Sequence, residues 1–313
     1  MNIEAKVIAD SLSPKGDRLR TMQLRYPKLL HSEAKTHRKL KIGDRVYEFL
    51  EDVSLMNEPA FSRSASSSRA IPVWKLLEEV RNNPAMPVVW LKNKPGMQAE
   101  EPMTPEEEEC AREIWLRASR SAADLAESLA AAGLHKQWVN RIIEPYTHIN
   151  VIVTATEWNN FFALRRHEHA QPEMKVLADA MWDAQQASIP TPLKPGQWHL
   201  PYVDVDADIR DGMDEKVLIK LSVARCARVS YLTHEGKKPT VEDDLKLYDR
   251  LLGSKPLHAS PAEHQATPDT ENAVRVGLGE RTGRYTWDHP HQHGNLIGWR
   301  QYRKMLKNES VPG

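Results

Sequence analysis

Between Thr104 and Gly133 the chain commits itself to one long helix. Thr104 stands where an N-cap hydroxyl is needed, Pro105 fills the first helical position, and Glu107 supplies the acid of a capping box. Ala111, Ile114, Trp115, Ala118, Ala122, Leu125 and Leu129 then recur at helical spacing, and Gly133 supplies the stop. The glutamates from 106 to 109 therefore belong to a helix start, where negative charge meets the positive end of the macrodipole. They require no ligand.

Around this helix the chain alternates element types. Proline punctuation from 84 to 105 marks an exposed excursion ahead of it. A short helix from about Lys136 ends before Pro145, and the β-branched run from 150 to 156 reads as a strand. Thr156 is expected to cap a helix carrying Trp158, Phe161, Phe162 and Leu164. Another helix, from Pro172 to about Ser188, turns Met174, Leu177, Ala178 and Met181 inward. Residues 194–214 read as loop, and 215–231 and 241–252 as helices. The pattern predicts an α+β fold with mixed helices around a central antiparallel or mixed sheet, in one domain spanning residues 1–313.

Among the 313 residues, 43 are Lys or Arg and 43 are Asp or Glu, so the formal net charge is zero. That balance argues against a protein that coats DNA or anionic membrane, while leaving room for a local basic pocket. No apolar run approaches the roughly 20 residues a membrane span needs, and the N-terminus lacks a basic segment followed by an apolar one. A cytoplasmic, soluble protein is expected. The two cysteines, Cys110 and Cys226, form neither a disulfide framework nor a zinc set. Cys226 lies in an apolar helix face with no recognisable base nearby, which suits a packed thiol better than a nucleophile.

Several short segments carry chemistry. From Phe61 to Arg69 closely spaced serines and arginines can grip a phosphate, since small side chains let backbone approach and an Arg fork matches phosphate geometry. A solvated Ser-rich loop has the same composition. Arg141 reads as a cation at a helix end. Arg165 either polarises a bound base or pairs with Glu168 or Glu173. Ser260, Pro261 and Glu263 form a helix-start signal whose free N–H groups suit an anion. His289, His291 and His293 alternate as metal ligands can, yet no cysteine accompanies them and Pro290 and Gly294 signal a turn, so no metal is expected. The C-terminal run from 294 to 308 alternates aromatic and basic residues; it reads as a single-strand nucleic-acid grip or as a closing amphipathic helix packing Trp299 and Tyr302 inward.

Taken together, ARCARVSY at 224–231, LHASPAEH at 257–264, FFALRRHEHAQPEM at 161–174 and the 61–69 segment resemble the flavin-dependent thymidylate synthases. In that family the block here at about 215–264 comes first. The resemblance therefore implies a circularly permuted relative, an arrangement that termini lying close together at a surface permit.

The resemblance implies FAD as cofactor, with NADPH and methylenetetrahydrofolate as co-substrates, and methylation of dUMP to dTMP at C5. By the same resemblance Arg165 favours ionisation of the pyrimidine, and Ser62, Ser67, Arg69, Arg141 and Glu33 join it in holding the nucleotide. His37, Arg38, Asn160, Ser230, His258, Ser260 and Glu263 map onto FAD contacts, and a homotetramer with shared sites is implied. Departures stand at Thr36, Ala65 and Thr154, and an insertion follows Arg38. They leave open the same chemistry on dCMP, hydroxymethyl transfer, or a non-catalytic nucleotide- or nucleic-acid-binding relative that has lost flavin. Gln301 and Arg303 are expected to supply substrate contacts in place of those lost.

Overall fold

The computed structural model describes residues 3–31, 38–42, 45–49, 60–95, 99–204, 212–230, 239–254, 257–276, 280–307 and 309. Strands β1 (Glu4–Leu12) and β2 (Arg18–Pro27) form a hairpin, and β3 (Arg38–Ile42) pairs with β4 (Arg45–Phe49) within the insertion. Next, β5 (Ser62–Ala65) leads through a turn into α1 (Val73–Asn82). Helices α2 (Pro105–Ala131) and α3 (Lys136–Ile142) precede β6 (His148–Ala155), α4 (Asn159–Arg165), α5 (Pro172–Ala187) and β7 (Thr191–Pro192). The remainder holds α6 (Glu215–Ala227), α7 (Val241–Leu252), β8 (Ala266–Pro268), β9 (Glu271–Val276), β10 (Glu280–Trp287), β11 (Trp299–Gln301) and a single turn, α8 (Tyr302–Met305).

A five-stranded sheet in the order β5-β6-β2-β1-β7 organises the molecule, antiparallel except for the β1–β7 pair. Side chains alternate across a strand, and here the two faces differ in chemistry. Met22, Leu24, Tyr26, Val151 and Val153 pack with Trp158, Phe161 and Phe162 of the α4 region and Met174, Leu177 and Met181 of α5. Burying each such side chain contributes about 1.5–3 kcal/mol. The opposite face is partly polar: Thr21 and Thr154 sit directly opposite each other beside Ile152, under Cys226 of α6, Val229, His199 and His264.

Expectation and structure agree closely at α2. The Thr104 hydroxyl accepts from the Glu107 amide while the Glu107 carboxylate accepts from the Thr104 amide, and Gly133 takes φ +87 beyond the helix end. The buried stripe, however, is not the expected one. Ile114 and Leu125 are exposed, whereas Ser119, Ala123 and Ala126 are buried, because α1 and α3 press Leu76, Leu77, Val80 and Val139 against the small residues.

Three local expectations are corrected. Helix α4 begins at Asn159 behind Trp158, with no side-chain cap, so Thr156 does not start it. Ser260–Glu263 is a four-residue 3-10 turn headed by Ala259 and not the opening of an α-helix, so it presents no helix N-terminus to an anion. The closing segment is a strand followed by one turn: β11 pairs with β8, which buries Trp299 completely without a long helix. Cys226 is fully buried, its thiol pushed well up by burial, with the Gln265 amide nitrogen 3.4 Å from its sulfur.

Candidate functional site

The sequence SRSASSSR makes β5 and then a turn, because its small residues tolerate close backbone packing before Pro72 opens the approach to α1. The Ala70 amide donates to the Ser67 carbonyl at 2.9 Å, closing that turn. Its carbonyls are held from the other side by α3: Asn140 Nδ2 donates to Ser68 O at 2.6 Å and to Ile71 O at 3.0 Å, and Lys136 Nζ donates to Ala70 O at 3.0 Å. Asn140 is fully buried, so this clamp is part of the core.

Against β5 lies the 258–264 segment, although 200 positions separate Ser64 from His264, which hydrogen-bond at 2.9 Å. Between them opens a cavity of about 750 Å³ lined by Arg63–Ala65, Ser67, Arg69, Ala70 and Lys136 on one side. Ala227, Leu251, His258, Ser260 and Pro261 complete the wall. Arg63, Arg69 and Lys136 are cations, and no carboxylate lines the cavity among the described residues. Burial pushes the Arg63 guanidinium below its ordinary range, with Glu263 opposing that shift. Such a space accepts an anionic ligand of nucleotide size or larger.

The structure thus brings Ser67 and Arg69 together with His258 and Ser260 around one cavity. Ser62 is elsewhere: it is buried, donates to Asn295 Oδ1 and accepts from Gln301 Nε2, both at 3.1 Å. Gln301 is itself buried and also donates to Glu263 O and Asn295 Oδ1, so it braces β5 from behind and is not a lining residue of the cavity. The Glu263 carboxylate is engaged by Arg303, which also binds Glu309. Arg141 is exposed, its guanidinium 5.1 Å from the Trp138 ring centroid, and lies outside the lining. Arg165 is buried at the end of α4, where desolvation lowers its pKa, and is likewise not a lining residue. As for the acids expected beside it, Glu173 accepts from the Val88 amide and Glu168 lies exposed near His169.

Asn160 carries a buried Nδ2 with no hydrogen-bond partner among the described residues, a donor still to be satisfied. Arg38 opens β3 and Ser230 closes a 3-10 turn after α6. Glu33, Thr36 and His37 lie outside the described residues. His289 and His293 both address the Asp269 carboxylate, at 3.0 and 2.9 Å, so the histidine-rich segment is organised around that acid.

Sequence reasoning missed Arg63, Ser64 and Lys136. Arg63 and Ser64 lay inside the segment already singled out. Lys136 carried a signal of its own, since a cation in the first turn of a helix opposes the dipole and calls for another purpose.

Comparison with known proteins gives two weakly similar solved structures, no curated relative, and one family model that matches part of the chain. Two crystal structures of a UMP/dUMP methylase PolB from Streptomyces cacaoi, bound with 5-Br UMP and with 5-Br dUMP, resemble this chain at 14% identity. Each covers 59% of this chain, and 88% and 90% of the PolB chains, with TM-scores of 0.41 and 0.43. No curated protein sequence matches. Residues 86–191 match the family described as thymidylate synthase complementing protein. That stretch, which holds Arg141, Asn160 and Arg165, is where the chain is similar to the thymidylate synthase complementing protein family.

Proposed function

We propose that this chain methylates a pyrimidine nucleotide at C5, converting dUMP to dTMP with methylenetetrahydrofolate as the carbon source and NADPH as reductant. The observation that carries the reading is the basic cavity, which joins the 63–70 and 258–261 segments although sequence reasoning had singled them out separately. The family match at 86–191 supports it. The single domain, with its block at 215–264 displaced from the family's order, belongs to the same proposal.

FAD fits the residues present. The cavity exceeds what a nucleotide monophosphate alone fills and its wall is cationic, while Asn160, outside that lining, carries a buried donor with no partner among the described residues. His258, Ser260 and Asn160 would hold the cofactor, with Ser230, Arg38 and His37 as further candidates. When bound, the flavin supplies the two electrons that reduce the transferred carbon to a methyl group. Ser67 and Arg69 hold the nucleotide phosphate, and the cations stabilise its charge where water is scarce. Arg165 lowers the cost of negative charge on the pyrimidine ring. It does so at a site completed by a second copy of the chain, in keeping with the shared sites of the family it resembles.

The decisive experiment is the visible spectrum of purified protein after addition of FAD and removal of excess. A retained flavin band bleached by NADPH, followed by turnover of dUMP in preference to dCMP, supports the proposal. Absence of retained flavin with dUMP present overturns it and favours a nucleotide-binding protein without redox chemistry, for which Ala65 in the cavity wall is the specific observation. Arg69→Ala is expected to raise the dUMP dissociation constant about 10- to 100-fold, the worth of a charge-assisted hydrogen bond. Arg165→Ala is expected to lower kcat about 100-fold with little change in dUMP affinity. At subsaturating dUMP, mixing the two impaired variants should raise activity above that of either alone if sites are shared between copies, and no gain argues for a site within one chain.

A further inference from the structure

A continuous line of buried hydrogen bonds crosses the polar face of the sheet and ends in the cavity. Ser11 Oγ of β1 meets His199 Nδ1 at 2.8 Å, and His199 Nε2 meets Thr21 Oγ1 of β2 at 2.8 Å. Thr21 Oγ1 meets Thr154 Oγ1 of β6 at 2.6 Å, Thr154 Oγ1 meets His264 Nδ1 at 2.8 Å, and His264 Nε2 meets Ser64 Oγ of β5 at 2.9 Å. Every member is buried except Ser64, which lines the cavity. Burial also keeps both imidazoles neutral at neutral pH.

Neutral imidazole carries one N–H and one acceptor nitrogen, and each hydroxyl carries one proton. For every proton in the line to find an acceptor, each interior member must donate to one neighbour and accept from the other. Only two complete proton arrangements exist. In one, all donors point toward Ser64, both histidines carry their proton on Nε2, and the Ser64 proton is free to enter the cavity. In the other, all point away, both histidines carry it on Nδ1, and Ser64 spends its proton on His264. A mismatch leaves either a hydroxyl proton without an acceptor or two lone pairs facing each other inside the core, and both are costly.

We infer that Ser64 is a further ligand-binding residue, a donor to a phosphate oxygen in the cavity, and that the relay through His264, Thr154, Thr21 and His199 sets whether it donates. This rests on the proposed reading that an anionic nucleotide occupies the cavity. An acceptor oxygen there selects the arrangement pointing toward Ser64, and both tautomers follow together. His264 and Thr154 are positioning residues acting through Ser64. The threonine at 154, a departure from the related family's pattern, then has a purpose, since it supplies the hydroxyl that joins the two halves of the line.

The test is nitrogen NMR of histidine-labelled protein, which distinguishes Nδ1–H from Nε2–H imidazole, with and without dUMP. With dUMP bound, His199 and His264 are both expected as Nε2–H. In Thr154→Val, which keeps the side-chain shape, dUMP should still set His264 but no longer His199, while Thr154→Ser restores the coupling. Ser64→Ala, at the cavity wall where folding is least at risk, should weaken dUMP binding about tenfold. Opposed tautomers in the wild-type protein, or full dUMP affinity in Ser64→Ala, would overturn the inference. Wild-type protein that binds no dUMP sinks the nucleotide reading instead; the tautomer pair in the ligand-free protein then decides the relay, matched tautomers upholding it and opposed ones overturning it.

Discussion

Acidification from pH 7 to pH 5 is expected to remove about 4 kcal/mol of folding stability, read as the fall in the urea midpoint at constant m-value. The cause is the buried pair His199 and His264, each completely enclosed and pushed down to about 3 by burial. Asp10 partly offsets the shift at His199, and His199 itself lowers His264. The unfolded chain binds protons at these histidines below about 6.5, whereas the folded protein refuses them until about 3. Stability is therefore fully present above 6.5 and is lost as pH falls, at about 2.7 kcal/mol per pH unit for the two groups together. Glu263, whose carboxyl is raised by burial, works weakly the other way. Replacing either histidine with glutamine should halve the slope. A slope unchanged in both variants would place the acid lability elsewhere.

Asp244→Ala is expected to cost about 3–5 kcal/mol, a large share of the roughly 5–15 kcal/mol typical of a folded protein. The Asp244 carboxylate is completely buried in α7 and accepts from Arg225 Nε at 3.1 Å and Arg228 Nε at 2.6 Å. Removing it leaves two guanidiniums, still partly exposed, crowded together without their counter-charge, which favours the lower end of the range. Arg225 retains its bond to Tyr202 O at 2.8 Å, and Arg228, which opens the turn toward Ser230, has the more to lose. Flavin retention should accordingly fall along with stability. Urea unfolding of Asp244→Ala beside Asp244→Asn, which keeps an acceptor, measures the loss; a cost below about 1 kcal/mol for the alanine variant would refute the buried-pair account.

What could be read from the sequence follows the range of the interactions. Helix α2 was legible to the residue at its start because Thr104, Pro105 and Glu107 satisfy one another within four positions. Which of its faces is buried was not, since that depends on α1 and α3 arriving from elsewhere in the chain. In VEDDLK the acids at 242–244 look alike as first-turn residues, yet Asp243 completes a capping box at the surface and Asp244 is sealed beneath two arginines. The candidate site divides in the same way. Ser67, Arg69, His258 and Ser260 carried recognisable local patterns and share a cavity. Ser62 and Glu263 carried equally good patterns, and the structure pairs them with Gln301 and Arg303, 239 and 40 positions away. Spacing along a chain says nothing about partners at such separations.

That separation also sets the order in which the protein can be built. Strand β5 is an edge of the central sheet, and it is braced by Gln301 and flanked by His264. A ribosome adding about 5–20 residues per second needs on the order of tens of seconds to reach Gln301 after completing Ser62. Throughout that interval β5 lacks its Gln301 brace and the polar face of the sheet is half-lined, which leaves the edge more open to pairing with a neighbouring polypeptide. Slower synthesis or a C-terminal truncation before Gln301 is therefore expected to be felt first as aggregation and only later as lost activity.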